Sequence, residues 1–70
     1  MRTLRLHRAV YAPSAIDEAM RLYTPFAVLA RRDDGDHVVL EVSADAPARE
    51  REVAGELGNT ALGLTARGRR

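Results

Sequence analysis

The chain has 70 residues and a formal net charge of +1, with no cysteine and two histidines. This length allows one domain near the lower limit for a self-sufficient core, and cysteine chemistry is excluded. His7 and His37 are too few to build a zinc site unaided, so we expect no metal or cofactor. The apolar fraction is 46%, but much of it is alanine, beside one Phe, two Tyr and no Trp. We therefore expect a thin core that gains stability from a partner or a second copy.

All eleven basic residues are arginine, a bias that indicates a high-GC genome rather than adaptation to nucleic acid. Residues 1–66 hold eight arginines against ten carboxylates, a net charge of −2, and the positive surplus lies in a basic tail, 67–70. An acidic body is a poor electrostatic footprint for DNA. No apolar run approaches the length of a membrane span or of the apolar part of a signal peptide, which predicts a cytoplasmic protein.

The segment Thr3–Val10 alternates between apolar and polar side chains and predicts the first strand. We expect Leu4, Leu6 and Val10 on its buried face, and Arg5 and His7 on its polar face.

The next segment predicts a helix over residues 14–23. Ser14, followed three residues later by Asp17, has the form of a capping box. Pro25 disfavours the helical conformation of the residue before it, so the helix should end near Tyr23. The apolar residues that recur at helical spacing are Ile16, Ala19, Met20 and Tyr23.

Residues 26–43 predict a β-hairpin around Gly35, in one of two registers. A two-residue Asp34-Gly35 loop pairs residue 30 with 39 and places Glu41 on the face of Val28. A three-residue loop with Gly35 in the left-handed conformation pairs 30 with 38 and 28 with 40. We expect the second register, because a one-residue slip inverts every side chain and only this register gathers the apolar ones. Those side chains are Phe26, Val28, Ala30, Val38, Leu40 and Val42, with Leu29 and Val39 left on the opposite, uncovered face.

The last helix is expected to begin at Asp45–Pro47, where Asp45 can cap it and Pro47 suits the first turn. Residues 49–52 are four alternating charges and predict a solvated turn. Gly63 has the position of a C-cap that ends the helix at Leu62. The predicted buried stripe comprises Val53, Leu57, Ala61 and Leu64. Leu62 lies off this stripe near Gly58, where a small residue would let another backbone approach.

The element order predicts an α+β fold: a β-α-β-β-α two-layer sandwich of residues 1–66. A right-handed crossover makes the first two strands parallel and leaves the third between them, so the sheet order is 1-3-2 with both helices on one face. This arrangement is like a ferredoxin-like fold that lacks its last strand. The first strand then has an unpaired outer edge that invites a second copy or an extended peptide.

Nothing in the sequence predicts an enzyme. His7 and His37 are expected as exposed strand histidines, and the aspartates around Gly35 as turn formers. Ser14 has no base nearby in the sequence. An alternative function is a small regulator that binds nucleic-acid phosphates through the arginines of the tail, Arg67, Arg69 and Arg70.

The chain resembles the His-Xaa-Ser system protein HxsD family. The resemblance lies in the helix start "APSAIDEA", in the hairpin with its polar turn, and in "GELGNTAL" of the last helix. In that family the terminal helix carries a Leu/Asn-rich segment followed by another leucine, and Leu57, Asn59 and Leu62 stand at the matching places. Gly58 and Gly63 depart from the pattern, because a bulky or charged residue is expected there.

The resemblance implies an accessory protein of a system that makes ribosomally synthesised, post-translationally modified peptides. Genes of this family accompany radical SAM maturases and a repeat-bearing precursor peptide. We therefore expect a non-catalytic protein that binds the precursor peptide or docks on the maturase. Independently of the resemblance, the thin core and the open first strand predict a homodimer formed through that strand. The expected partner-binding residues are Arg5, His7, Leu29, Val39, Gly58, Asn59 and Leu62.

Overall fold

The computed structural model describes residues 1–68 as a three-stranded sheet with two helices on one face. The elements in chain order are β1 (Arg2–His7), α1 (Pro13–Tyr23), β2 (Val28–Asp34), β3 (His37–Ser43) and α2 (Pro47–Gly68). The strand order is β1-β3-β2, and β3 runs antiparallel to both neighbours, so β1 and β2 are parallel. The predicted α+β two-layer arrangement and its sheet order are confirmed.

β1 is shorter than predicted because the chain turns at its end. The Arg8 N–H donates to the Asp36 carbonyl at 2.8 Å, which closes the ladder with β3. The N–H groups of Val10 and Tyr11 then both donate to the His7 carbonyl, at 3.0 and 2.9 Å. Val10 therefore lies in a turn and is exposed, not on the buried face of the strand.

α1 ends at Tyr23 as predicted, but its start differs from the prediction. The N-cap residue is Ala12 and makes no side-chain cap, so the capping box of Ser14 and Asp17 is not formed. Pro13 occupies the first turn instead, where the missing N–H of proline costs no helical hydrogen bond.

α2 continues past Gly63, so the predicted end at Leu62 is wrong. Gly63 does not have the positive φ of a left-handed cap. The reason for the longer helix lies one turn further on, at the buried Thr65. Its hydroxyl donates to the Ala61 carbonyl at 2.8 Å and accepts the Ala12 N–H at 3.0 Å. This tertiary bond holds the last turns of α2 against the start of α1.

The hairpin takes neither of the two predicted registers. Val28 pairs with Ser43 and Asp34 with His37, so the loop is Gly35-Asp36. Gly35 has φ +59° and is the only residue among 1–68 with a positive φ. A glycine at the first position of a two-residue loop is typical of a type II′ turn.

This register inverts β2 relative to the prediction. Leu29 faces the helices and packs against the core, whereas Val28 is 73% exposed. Arg31 also lies on the helix side, where its guanidinium pairs with Asp17 of α1. The positive charge of Arg31 is therefore paired on the helix side of the sheet. The predicted faces of β3 are confirmed, because Val38, Leu40 and Val42 belong to the core clusters beneath the helices and Val39 does not.

The core lies between the sheet and the two helices. Its main cluster comprises Leu6, Ile16, Ala19, Val38, Leu40, Leu57 and Ala61. A smaller cluster comprises Val42, Val53 and Ala54. Within residues 1–68, neither helix combines the length and apolar character needed to cross a membrane.

The inverted strand gives a direct test of the register. Leu29→Ala should lower the free energy of unfolding by about 2 kcal/mol, because it removes methyl groups that pack against both clusters. Val28→Ala should change it by less than about 0.5 kcal/mol, since this side chain is exposed. Urea unfolding of the two variants measures both values. A larger loss for Val28→Ala would support the register predicted from the sequence.

Candidate functional site

The sheet face opposite the helices is polar rather than apolar. Leu29 lies on the other face, so it contributes nothing here, contrary to the prediction. Val39 does lie on this face, but it is fully buried. Its cross-strand neighbours are Arg5 on one side and Arg32 on the other. Arg5 reaches across β3 to Asp34 of β2, with 3.2 Å between Nη1 and Oδ2, and this ion pair closes over the apolar side chain.

The two histidines meet at the end of this face. His7 and His37 are cross-strand partners, and their rings form an edge-to-face pair with centroids 4.8 Å apart. Nδ1 of His7 accepts the Ala9 N–H at 3.0 Å. Among residues 1–68, no group of three His, Cys, Asp or Glu side chains is arranged to hold a metal ion.

The outer edge of β1 carries unpaired backbone groups in a defined pattern. Because the Arg8 N–H donates to Asp36, the residues of β1 at even positions point their N–H and C=O groups inward, to β3. In an antiparallel ladder the residues between them point outward. The N–H and C=O groups of Thr3 and Arg5 and the N–H of His7 therefore face away from the sheet. The His7 carbonyl is already taken by the following turn.

Charge along β1 has one sign. Arg2, Arg5, His7 and Arg8 fall within or beside the strand, and no carboxylate does. Two of these arginines form ion pairs across the sheet, Arg5 with Asp34 and Arg8 with Asp33, the latter at 2.7 Å. Both guanidinium groups are therefore held toward β2, on the side away from the outer edge of β1.

The outer edge of β2, unlike that of β1, carries charges of both signs. Arg31 pairs there with Asp17 of α1 and lies 3.5 Å from Asp33 of its own strand. Mixed, internally paired charges of this kind protect a sheet edge from other strands. The two edges of the sheet are therefore chemically distinct, and β1 is the more open one.

α2 borders the β1 edge from the helix side. A Cβ built at Gly58 would lie 4.0 Å from Cδ2 of Leu4, so this glycine faces β1. Leu62 follows one turn later on the same flank and is 45% exposed. Asn59 is also exposed, but it lies about 100° further around the helix, away from β1.

The predicted partner-binding residues therefore divide into four groups. Arg5 and His7 lie on the open face beside the β1 edge, and Gly58 and Leu62 lie above that edge on α2. Asn59 points elsewhere, and Leu29 and Val39 are not accessible as predicted. Sequence reasoning missed Thr3, whose outward backbone groups follow from the alternation of an antiparallel ladder.

Glu50 was also missed, because its four-residue charged segment predicted a solvated turn. The residue is in fact buried at the start of α2. Its carboxylate accepts the Ala44 N–H at 3.0 Å and lies 3.0 Å from the Met1 ammonium. These two contacts, the backbone hydrogen bond first, lower the pKa of Glu50 from its ordinary value of 4.5. Helical spacing places it seven residues before Leu57, on the buried stripe, and this signal could have identified it.

Two clefts lie between the helices. One, of about 400 Å³, lies between the start of α1 and the end of α2 and is lined by Ser14, Glu18 and Leu64. The other, of about 370 Å³, lies beside the Tyr23 and Phe26 rings, whose centroids are 6.2 Å apart. Neither cleft adjoins the β1 edge.

The predicted basic tail is partly helical. Arg67 belongs to the last turn of α2 and is exposed, whereas Arg69 and Arg70 lie outside the described residues. Comparison of the chain with protein-family models, with curated proteins and with solved structures finds no match.

The lowered pKa of Glu50 predicts a loss of stability in acid. The ionised carboxylate stabilises the folded state, and this contribution is full above pH 4.5 and is lost as the pH falls through the lowered folded-state pKa. Glu50→Gln keeps an oxygen for the Ala44 N–H but loses the charge, so its unfolding midpoint should fall less between pH 6 and pH 3. The exposed Glu56→Gln variant, with the same charge change, should follow the wild type. An equally steep loss in Glu50→Gln would contradict this role.

Replacing two glycines of α2 by alanine should raise the free energy of unfolding. A Cβ at Gly55 meets no atom within 4 Å, and one at Gly58 makes an ordinary contact with Leu4. Gly55→Ala and Gly58→Ala should therefore each raise the free energy of unfolding by up to about 1 kcal/mol, through helix propensity. Thermal unfolding followed by circular dichroism measures both changes. A loss of stability in Gly58→Ala would mean that α2 and β1 pack more closely than described.

Proposed function

We propose that this protein is a non-catalytic binding module that takes up an extended peptide segment along the outer edge of β1. The observation that carries the proposal is the row of outward backbone groups on Thr3, Arg5 and His7. An extended segment alongside β1 would satisfy these groups as a fourth strand.

The surroundings of the edge support this function. β1 is the end strand of the sheet order, and within residues 1–68 its ladder is formed with β3 alone. α2 overhangs it with Gly58 and the exposed Leu62, so an added strand would have a partial apolar cover on the helix side. The opposite edge, at β2, is protected by its paired charges.

We propose the biological setting from the resemblance to the HxsD family. In that setting the segment bound would belong to the precursor peptide of a ribosomally synthesised, post-translationally modified peptide system. The same edge, or the α2 flank beside it, would dock the protein on the radical SAM maturase.

A second copy of the chain is a competing occupant of the same edge. Two β1 strands related by a two-fold axis would pair antiparallel and form an isologous dimer. Dimerisation and peptide binding would then exclude one another, and the free protein would be the dimeric form.

The test is calorimetry with the precursor peptide and the maturase encoded near the gene, on two variants of one position. Thr3→Pro should abolish binding of the peptide, because it removes an outward N–H and introduces a ring at the edge, without removing a ladder bond. Thr3→Val keeps the N–H and should bind as the wild type does. Circular dichroism checks that both variants are folded, and light scattering follows the dimer.

Each outcome tests a different part of the proposal. No complex of the wild-type protein with either partner would contradict the proposed function. A complex that forms equally well with Thr3→Pro would place the binding surface elsewhere on the molecule. A monomer at high micromolar concentration that binds neither partner would exclude the dimer as well.

A further inference from the structure

We propose that the cleft beside the Tyr23 and Phe26 rings binds an arginine side chain of a partner protein. This inference goes beyond the proposed function, because none of the residues that line the cleft belongs to β1. The cleft has a volume of about 370 Å³, at the small end of the roughly 300–1,000 Å³ of ligand sites, which suits a single side chain. Its lining residues are Tyr23, Phe26, Arg49, Glu52, Val53 and Glu56.

The two aromatic rings are held in place before any ligand binds. Tyr23 packs against both core clusters, and its hydroxyl lies 3.0 Å from Oγ1 of Thr60 on α2. The Phe26 N–H donates to the Tyr23 carbonyl at 3.0 Å, and Pro25 between them has a fixed φ. The rings are therefore a preorganised pair, tilted by 55° to one another, and Phe26 remains 54% exposed.

Two carboxylates without partners line the α2 side of the cleft. Glu52 and Glu56 are exposed and lie one turn apart on the helix, so they repel each other. Within residues 1–68, neither carboxylate makes an ion pair or a hydrogen bond. A cation bound between them would relieve this repulsion and supply the missing partner.

The nearby basic residues do not neutralise these carboxylates. Arg49 lines the cleft, but its Nε atom lies 3.4 Å from Oδ1 of Asp45 in an ion pair. Arg51 lies about 200° around the helix from Arg49 and is not among the lining residues. Arg21, near the end of α1, pairs with Glu18. The two glutamates and Asp45 therefore outnumber the one guanidinium of the cleft, which keeps a net negative charge.

Arginine is the side chain that uses both features of the cleft. Its planar guanidinium stacks on an aromatic face and is attracted to it, and its five N–H donors form a fork that carboxylates accept. Its methylene stem would lie along Val53, the apolar residue of the α2 wall. A lysine ammonium has no plane to stack, and a neutral amide has no charge for the carboxylates, so both use the site less fully.

The exposed aromatic ring favours a partner protein as the source of the arginine. Phe26 is the one phenylalanine of the chain, and about half of it is left in water although the core is thin. Aromatic residues and arginine are enriched in the buried centres of protein interfaces. The backbone that carries the arginine would cover this ring, whereas a free small cation would leave it exposed.

The experiment titrates the isotope-labelled full chain with three blocked tripeptides at low salt and follows the NMR chemical shifts. The tripeptides carry arginine, lysine or citrulline between two alanines, and citrulline has the shape of arginine without its charge. The arginine tripeptide should shift the amide resonances around Phe26 and Glu56 and bind about tenfold more tightly than the citrulline one. The lysine tripeptide should fall between the two. The difference should shrink at high salt, because both glutamates are exposed.

Four variants separate the carboxylates, the ring and the net charge. Glu52→Gln and Glu56→Gln should each weaken the arginine tripeptide about threefold and leave the citrulline one unchanged. Asp36→Asn removes the same charge in the hairpin loop, at the opposite end of β2 from Phe26, and should change neither. Phe26→Leu keeps an apolar side chain but removes the ring, so it should also weaken the arginine tripeptide about threefold. Circular dichroism checks that each variant is folded.

Each contrary result overturns a stated part of the inference. Equal affinity for arginine and citrulline would overturn the selection by charge, and full affinity in Phe26→Leu would overturn the role of the ring. Equal losses in Glu52→Gln and Asp36→Asn would leave only a general attraction and overturn the site. Shifts at the cleft that depend on protein concentration without peptide, and that Arg67→Gln abolishes, would assign the cleft to a second copy instead of a partner protein. Thr3→Pro should not change the affinity for the arginine tripeptide, so the cleft and the β1 edge succeed or fail separately.

Discussion

The structure depends on β3, the strand that is hydrogen-bonded on both sides and buried on both faces. Toward the helices, Leu40 and its neighbours Val38 and Val42 form the floor of the core. Toward the open face, Val39 is buried although no element covers it, because the Arg5–Asp34 ion pair crosses the strand above it. β3 thus joins β1 to β2 through its two hydrogen-bonded ladders, and the Arg5–Asp34 ion pair joins the same two strands across it. On the other face of the sheet, the two helices cover β3.

The parts of the fold that were predictable are those in which local pattern and tertiary packing agree. The faces of β3 follow from alternation, since an apolar residue stands at every second position and the strand is central. β2 misled the prediction because it is an edge strand, where an apolar residue such as Val28 can remain exposed at little cost and Arg31 can be paired on the helix side. The end of α2 was missed for a different reason: Thr65 is held by a residue 53 positions away, which no helix-end signal contains.

The candidate site shows the same division. The open edge of β1 was predictable from topology, because the element order alone leaves the first strand at the end of the sheet. The apolar patch predicted beside it was wrong, since the inverted β2 moves Leu29 into the core. What replaced that patch was a chemical asymmetry between the two edge strands, with charges of both signs on β2 and only basic charged residues on β1, two of which pair with carboxylates of β2. This asymmetry depends on which residues of the chain face each other, and composition does not contain it.

The net charge of the body is a poor guide to this surface for the same reason. Residues 1–66 are acidic as a whole, which argues against nucleic acid as a ligand of the body, yet every charged side chain of β1 is basic. Two of these charges are balanced at close range, because Asp34 and Asp33 of β2 lie 3.2 and 2.7 Å from the guanidinium groups of Arg5 and Arg8. The pairing of charges across the sheet, rather than their sum, therefore decides what the outer edge of β1 presents. That edge has the outward backbone groups of Thr3 and Arg5, while the Arg5 guanidinium is held toward β2 by Asp34.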